Sequence, residues 1–483
     1  MSLALWALFS TATEQRFLMQ KKGLFHRAGH QSNMDMTQGS LWWKIFLFSM
    51  PLMMSQILQV TFNMADVAVV GNFANAQALG SVGSTSMLVS LFTGFLIGLG
   101  SGVNVLVAQH LGAKRRRETV ETVHTSLLIC LLAGIIIGVL CLLLAKPMLE
   151  MMNTKEDLID GAVLYFRIYA LGMPALGVFN FGNGVMSANG DTRRPLLYLT
   201  VAGVLNIILN LFFVICCKMA ADGVALASII SQYVSAILIV IHLLHEEDDC
   251  ALRPSQLRFH REQSLGVLAL GIPAGLQNAI FAIANIFIQT GMNSFDSTVV
   301  EGGAAAANAD TLIYSMMAAF YTACTSFMGQ NWGARKRDRV LKSYFVSLIY
   351  SSVVGLIMGL FMVFFGETFL ALFTNDAAVV AAGMERLRIM GFSFAIAPFM
   401  DCTIAASRGI GKSFGPTVIV ILGSCVFRVI WVYTVFAHFH TIAVLYLLYP
   451  CSWIITSIAE IAFFISCYRH SMPATGGLAA REA

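Results

Sequence analysis

The stretch FNMADVAVVG, residues 62–71, sets a carboxylate, Asp66, inside an apolar run that begins near Trp42. An acid in such surroundings either binds and releases a proton or cation, or accepts hydrogen bonds that tie neighbouring helices together. Placing its charge at mid-bilayer costs roughly 2.5–3.5 kcal/mol on insertion scales, so an intramembrane acid points first to function. Four more charges interrupt apolar runs later in the chain: Asp310, Asp401, Arg428 and Glu460. Asp310 and Arg428 are expected at similar depth in the second half, as an internal ion pair or as a second ion or substrate contact. Asp401 and Glu460 are expected nearer the cytoplasm, lining an inward cavity. Arg167 and Arg388 recur in both halves, which favours packing or snorkelling over a unique role.

Other chemistries find no footing. RGIGKS (408–413) resembles the end of a phosphate loop, but the first glycine would fall at Ala406, and no soluble strand–loop–helix surrounds it. There is no H-E-x-x-H and no G-x-S-x-G, so neither an enzyme nor a metal site is expected. His438 and His440 are read as interfacial. The ten cysteines include no C-x-x-C pair, and even the vicinal Cys216–Cys217 are read as small apolar filler. The energy for any transport must therefore come from an ion gradient, with no cofactor beyond the coupling ion.

The elements that position these residues follow from composition. The 483 residues are 57% hydrophobic and 12% charged, with mean hydropathy +0.75; soluble domains carry about twice that charge. Apolar blocks of twenty or more residues are each long enough to cross about 30 Å of hydrocarbon as a helix. The ten-residue alternation of a barrel is absent. An all-α polytopic membrane protein results, with spans expected at 43–70, 82–110, 119–145, 159–188, 195–216, 223–244, 264–291, 304–330, 340–365, 378–407, 415–436 and 441–467. The division is a cytosolic tail 1–40, a six-helix bundle 41–244, a cytosolic linker 245–262, a second bundle 263–470, and a tail 471–483. MDMTQGSLWWKIF leads straight into the first span, so a start at Met34 or Met36 is an alternative, with 1–33 either absent from the protein or a disordered cytosolic tail.

Loop charges set the orientation. Lys114, Arg115, Arg116, Arg117, Arg193, Arg194, Arg253, Arg258, Arg261, Arg335, Lys336, Arg337, Arg339, Arg408 and Lys412 share one side, against Lys146, Lys155 and Lys218 on the other. Fifteen against three places both termini in the cytoplasm by the positive-inside rule. The net charge of +4 belongs to these loops and implies no nucleic acid. The halves repeat: AQHLGAKRRR (108–117) matches GQNWGARKRD (329–338), Arg167 matches Arg388, and Pro195 matches Pro416, each 221 residues apart. An even number of spans per copy makes the repeat parallel, the design of transporters whose site lies between or within two bundles. Gly94, Gly98 and Gly102 repeat along one face of span 2, marking close helix packing, with a sliding surface as the alternative. Some of the many Met and Phe residues suit an adaptable drug-binding wall.

Two six-helix halves, each with a Q-x-x-G-A-[KR] turn after its second helix and GDTRRP or GKSFGP after its fourth, resemble the multidrug and toxic compound extrusion (MATE) transporters over residues 40–470. Residues 62–71 look most like the DNA-damage-inducible-type branch. The resemblance implies two bundles forming a V-shaped, alternating-access cleft in the cell's inner membrane. It implies antiport in which protons exchange for hydrophobic or cationic drugs and toxins. It groups Asp66 with Asn206, Asn210 and Ser228, and makes Pro51 a point of bending when the acid is protonated. Archaeal members carry a second acid where this chain has Asn210, so one titratable group is expected here. Ser187 replaces an arginine that Arg408 keeps in the second half. Sodium coupling through the same four oxygen donors is the nearest alternative, and a flippase for lipid-linked precursors is another. A monomer suffices for the mechanism.

Overall fold

The computed structural model describes residues 34–73, 76–152 and 154–471, so the readings for 1–33 and for the last twelve residues lie outside the described residues. The described residues form twelve helical spans: α1 (Leu41–Phe73), α2 (Ala76–Gly112), α3 (Arg116–Met151), α4 (Glu156–Ala170 with Met173–Ala188), α5 (Arg193–Cys216) and α6 (Ala221–His245), then α7 (Arg261–Met292), α8 (Ser297–Gly333), α9 (Arg337–Leu370), α10 (Ala377–Ser393 with Ala397–Gly409), α11 (Phe414–Phe439) and α12 (Ile442–Ser471). Most run past their expected ends. A helix of 33 residues is about 50 Å long, well beyond the hydrocarbon thickness.

Two spans expected to be continuous are broken. The halves of α4 meet at 45° and those of α10 at 51°. In each the second half opens with a proline, Pro174 or Pro398. Lacking an N–H, proline cannot bond the carbonyl four residues back, and its ring crowds that turn. Eleven spans are long and apolar enough to cross a membrane, counting each bent pair as one. The twelfth, α8, carries EGGAAAANAD and falls short. It packs against α1, α2, α9 and α10, so protein surrounds much of the length that lipid would otherwise cover.

The 221-residue register reappears in three dimensions. Lys114 and Arg335 both take a left-handed conformation at φ 56°, and Gly190 and Gly411 do so at φ 91° and 86°. Gln109 Nε2 donates to Gly409 O at 2.8 Å, and Gln330 Nε2 donates to Ala188 O at 2.7 Å. Since 330 − 109 and 409 − 188 both equal 221, these are one contact made twice, each glutamine reaching across to the last turn of the other half's bent span. Beside them Ser326 donates to Asn104 Oδ1 at 3.0 Å.

The segment before α1 also crosses over. Asn331 Nδ2 and Arg339 Nη2 donate to Met36 O at 3.1 and 3.0 Å, Lys336 Nζ to Thr37 O at 2.7 Å, and Arg339 Nη1 to Gly39 O at 2.9 Å. The segment before α7 does the reverse: Thr125 on α3 donates to Arg258 O at 3.1 Å and accepts from His260 N at 3.2 Å. Toward mid-helix, α2 lies against α7, where Gly98 and Gly102 meet Gly275 and Gly271 backbone to backbone. The glycine stripe is therefore a seam between the halves. Hydrogen bonds between the halves, among the described residues, reach from the basic loops to mid-helix at Asn278 and Gly94 and no further. The bundles are joined at that end.

Candidate cation-coupling site

In the first bundle, Asn206 and Asn210 stand one turn apart on one face of α5. Gly203, one turn below Asn206, has no side chain because the Phe62 ring of α1 occupies that space. This close approach brings Asp66, one turn beyond Phe62, up to Asn210. Asn210 Nδ2 donates to Asp66 Oδ1 and, at 3.2 Å, to Asn206 Oδ1. Asn206 Nδ2 in turn faces Ser228 Oγ on α6 at 3.4 Å. The four residues that resemblance grouped thus form one chain of hydrogen bonds across three helices. Asn210 is fully buried (0% exposed), and its Oδ1 has no partner.

Pro51 stands apart from this chain. It lies 66 − 51 = 15 residues earlier on α1, about 22 Å along the axis. Its carbonyl accepts from Ser55 Oγ at 3.0 Å.

The chain borders a cavity of about 470 Å³ lined by α1, α2, α4, α5 and α6. Asp66 is the one charged side chain among its described lining residues; Gln59, Asn63, Thr85, Thr93 and Gln232 supply neutral polar groups. Tyr165 and Tyr169 of α4 stack at its wall with ring centroids 6.1 Å apart, and Gln232 donates to the Tyr169 hydroxyl at 3.1 Å. Sequence reasoning missed this wall. Two tyrosines four apart do signal one helical face, but only the bend of α4 shows where that face points. The cavity offers one negative charge beside aromatic faces and oxygen donors, which suits a proton or an organic cation.

The second bundle differs from expectation. Asp310 and Arg428 do not pair. Asp310 Oδ2 accepts from Arg386 Nε at 2.8 Å, because α8 packs against the first half of α10, where Arg386 sits. Arg386 also lies over the Tyr446 ring at 5.2 Å. Arg428, on α11, turns toward α12 instead, donating to Ser452 Oγ at 3.1 Å and lying 4.7 Å from the Tyr449 ring centre. Glu460 is 0% exposed in this conformation, with Asp401 buried nearby. Arg167 and Arg388 sit on the surface, and Arg167 Nε donates to Leu142 O at 3.3 Å. Ser187 is buried, and its counterpart Arg408 donates to Gln277 Oε1 at 2.8 Å.

The sequence profile of the MatE family matches residues 51–212 and again residues 273–434, together well over half of the chain. The chain belongs to the MatE family. The two MatE copies are offset by 273 − 51 = 222 residues, one more than the register of the glutamines. The helix prolines Pro51 and Pro273 share that 222 offset, so the second copy is one residue shorter between its proline and its glutamine. Among curated relatives, the chain is 28% identical over 383 residues to a probable multidrug resistance protein, YpnP of Bacillus subtilis, covering 79% of this chain and 84% of that one. It is 24% identical over 387 residues to the probable multidrug resistance protein YoeA of the same organism, again covering 79% and 84%. A crystal structure of MATE in complex with MaL6 shares the fold, with a TM-score of 0.83 at 22% identity over 91% of this chain and 98% of that one. The protein is thus a multi-pass, all-α MatE membrane transporter built from two six-helix repeats.

Proposed function

We propose that this MatE protein is a secondary active multidrug efflux transporter that exports hydrophobic, cationic compounds in exchange for protons, with Asp66 as the coupling acid. The observation that carries this reading is the lone carboxylate of the first-bundle cavity, hydrogen-bonded to Asn210 and flanked by stacked tyrosines. The charge bias of the loops supports cytoplasmic termini, with the chain in the cell's inner membrane. The joined end is then the cytoplasmic one, and the conformation faces outward.

A proton arriving from outside neutralises Asp66, and the hydrogen-bond chain through Asn210 and Asn206 to Ser228 rearranges. The cationic substrate loses its counter-charge and leaves. Release of the proton inward restores the site. Coupling requires that proton and substrate favour different states, since a ligand with equal affinity for both shifts nothing. Exchanging one proton for one monovalent cation moves no net charge and draws only on the pH difference, roughly 1.4 kcal/mol per unit. Pro51 lies too far from Asp66 to sense the proton by contact, so its role is to let α1 bend. Sodium fits the arrangement less well, because the Asn210 amide N–H, not an oxygen, faces the carboxylate. In the second bundle Arg428 is buried and Arg386 is paired with Asp310 rather than arrayed along a cleft, which argues against a lipid-precursor flippase.

The test is ethidium-driven proton flux in sealed proteoliposomes, with and without sodium, for wild type and Asp66→Asn. Sodium-independent flux that disappears in correctly folded Asp66→Asn is expected. A requirement for sodium would make this a sodium exchanger; normal coupling in Asp66→Asn would reduce the aspartate to a structural tie.

A further inference from the structure

The second bundle holds a group of titratable side chains that the mechanism above does not use. Glu460 of α12 is 0% exposed, and neither of its carboxylate oxygens has a hydrogen-bond partner. The polar groups around it come from several helices. On α10 stand Arg408, its nearest cation, and Asp401, two turns earlier; Asp401 Oδ2 and Arg408 Nε also lack partners. On α8, Tyr314 and Tyr321 face Asp401, and on α11 Arg428 acts on it at longer range. Ser457, one turn before Glu460 on α12, has an unpartnered hydroxyl. Among the described residues no carboxylate lies within salt-bridge distance of Arg408 or Arg428.

The charges near Glu460 do not balance it. Its two charged neighbours are Arg408 and Asp401, one of each sign, and neither reaches a Glu460 oxygen to pair with it. Arg408 meanwhile donates to the neutral amide of Gln277 on α7. An ionised carboxylate buried without a partner costs several kcal/mol, and natural interiors avoid it. A sodium ion would need several oxygen ligands beside a guanidinium. A proton satisfies the carboxyl without that conflict.

The repeat shows that these charges are not needed to build the bundle. In the 221 register Arg408, Asp401 and Glu460 correspond to Ser187, Asn180 and Ile239 of the first bundle (408 − 187, 401 − 180 and 460 − 239). That bundle forms the same helices with a buried isoleucine in its apolar core where Glu460 stands here.

We infer that Glu460 is a second proton-binding group, exchanged once per transport cycle as Arg408 moves between Gln277 and the Glu460 carboxylate. The inference rests on the proton-antiport reading of Asp66 and deepens it. With Arg408 on Gln277, as here, Glu460 holds a proton taken from the outer water; when Arg408 swings to Glu460, the carboxylate is neutralised by the guanidinium and the proton leaves to the inner water. Two protons then exchange for one monovalent cation, one net charge moves, and the membrane potential joins the pH difference as a driving force.

The decisive experiment measures proton-to-ethidium stoichiometry in proteoliposomes, from the imposed voltage at which net ethidium movement stops at fixed gradients. Wild type is expected to give two protons per ethidium, and Glu460→Gln one, with its movement no longer voltage-dependent. Glutamine mimics the protonated carboxyl, so the variant is also expected to unfold at the wild-type temperature or above. A pH-jump titration of the detergent-solubilised proteins with an indicator dye should show one exchangeable proton fewer in Glu460→Gln. A ratio of two retained in the variant, a wild-type ratio of one, or a Glu460→Gln protein that does not fold would each overturn the second site and leave the Asp66 antiport standing. Absence of any proton movement in wild type would instead remove the antiport reading, and this inference with it.

Discussion

Replacing Gly98 with alanine tests the seam between the bundles. A Cβ at Gly98 would fall 2.6 Å from the Ala274 carbonyl carbon and closer still to Gly275 N and Cα. All three are backbone atoms, so no side-chain rotation relieves the overlap, and α2 and α7 must move apart. Overpacking of this kind costs about 1–3 kcal/mol. Against it stands the better helix propensity of alanine, about 0.8–1.0 kcal/mol. Gly83 on the same helix supplies the control, because a Cβ there meets nothing within 4 Å. Gly83→Ala should therefore hold or raise stability while Gly98→Ala lowers it, a difference of about 1–3 kcal/mol from the clash alone. Thermal unfolding followed with a thiol-reactive dye suits this chain, since Cys130, Cys141, Cys250, Cys324, Cys402 and Cys425 are buried until it unfolds. Cys216 and Cys217 are exposed and set the baseline. Equal midpoints for Gly98→Ala and Gly83→Ala would refute the reading of the glycine stripe as a close-packed seam.

Two further substitutions probe named contacts. Gln109→Leu or Gln330→Leu leaves the Gly409 or Ala188 carbonyl without its cross-bundle donor, at about 1–3 kcal/mol each. Amide hydrogen exchange in the 112–115 and 333–336 turns should quicken about 5- to 150-fold, and unchanged exchange would show that the glutamines do not hold this end together. Asp310→Asn strands the Arg386 guanidinium and should cost about 3–5 kcal/mol in stability, read as lost folded yield. Adding Arg386→Met should restore the yield; if it does not, Asp310 matters for a reason other than this pair.

The sequence made the architecture legible because lipid imposes strong rules. Span length and the 221 register each have one physical cause, and each survives in the structure as helices and paired turns and glutamines. Asp66 was visible because an acid in an apolar run is rare; its grouping with Asn206, Asn210 and Ser228 came from the resemblance to MATE transporters, and the i, i+4 spacing added only that the two asparagines share a face. Partner choice in the second bundle was not. Arg386 sits in GMERLRIM among other charges at a span end, and only the packing of α8 on the first half of α10 selects it over Arg428 for Asp310. The breaks in α4 and α10 were hidden because hydropathy stays high through Pro174 and Pro398 while the axis turns. The same turn conceals the tyrosine wall.

The crossed segment Met36–Gly39 fastens the root of α1 to the opposite bundle. The body of α1 meanwhile packs against α5 of its own bundle, at Phe62 and Gly203. In the transport cycle proposed above, one rod is therefore gripped at both ends by parts that rotate against each other. In that cycle a swing of the second bundle would pull on the near end of α1, and the rod would transmit that pull toward Asp66 unless something between them yields. Pro51 is the point between the two grips where the helix lacks a backbone donor. A stiff α1 would work as a lever linking the far bundle to the acid; a bent one would disengage it. In the proposed cycle the helix would thus serve as a clutch between the halves.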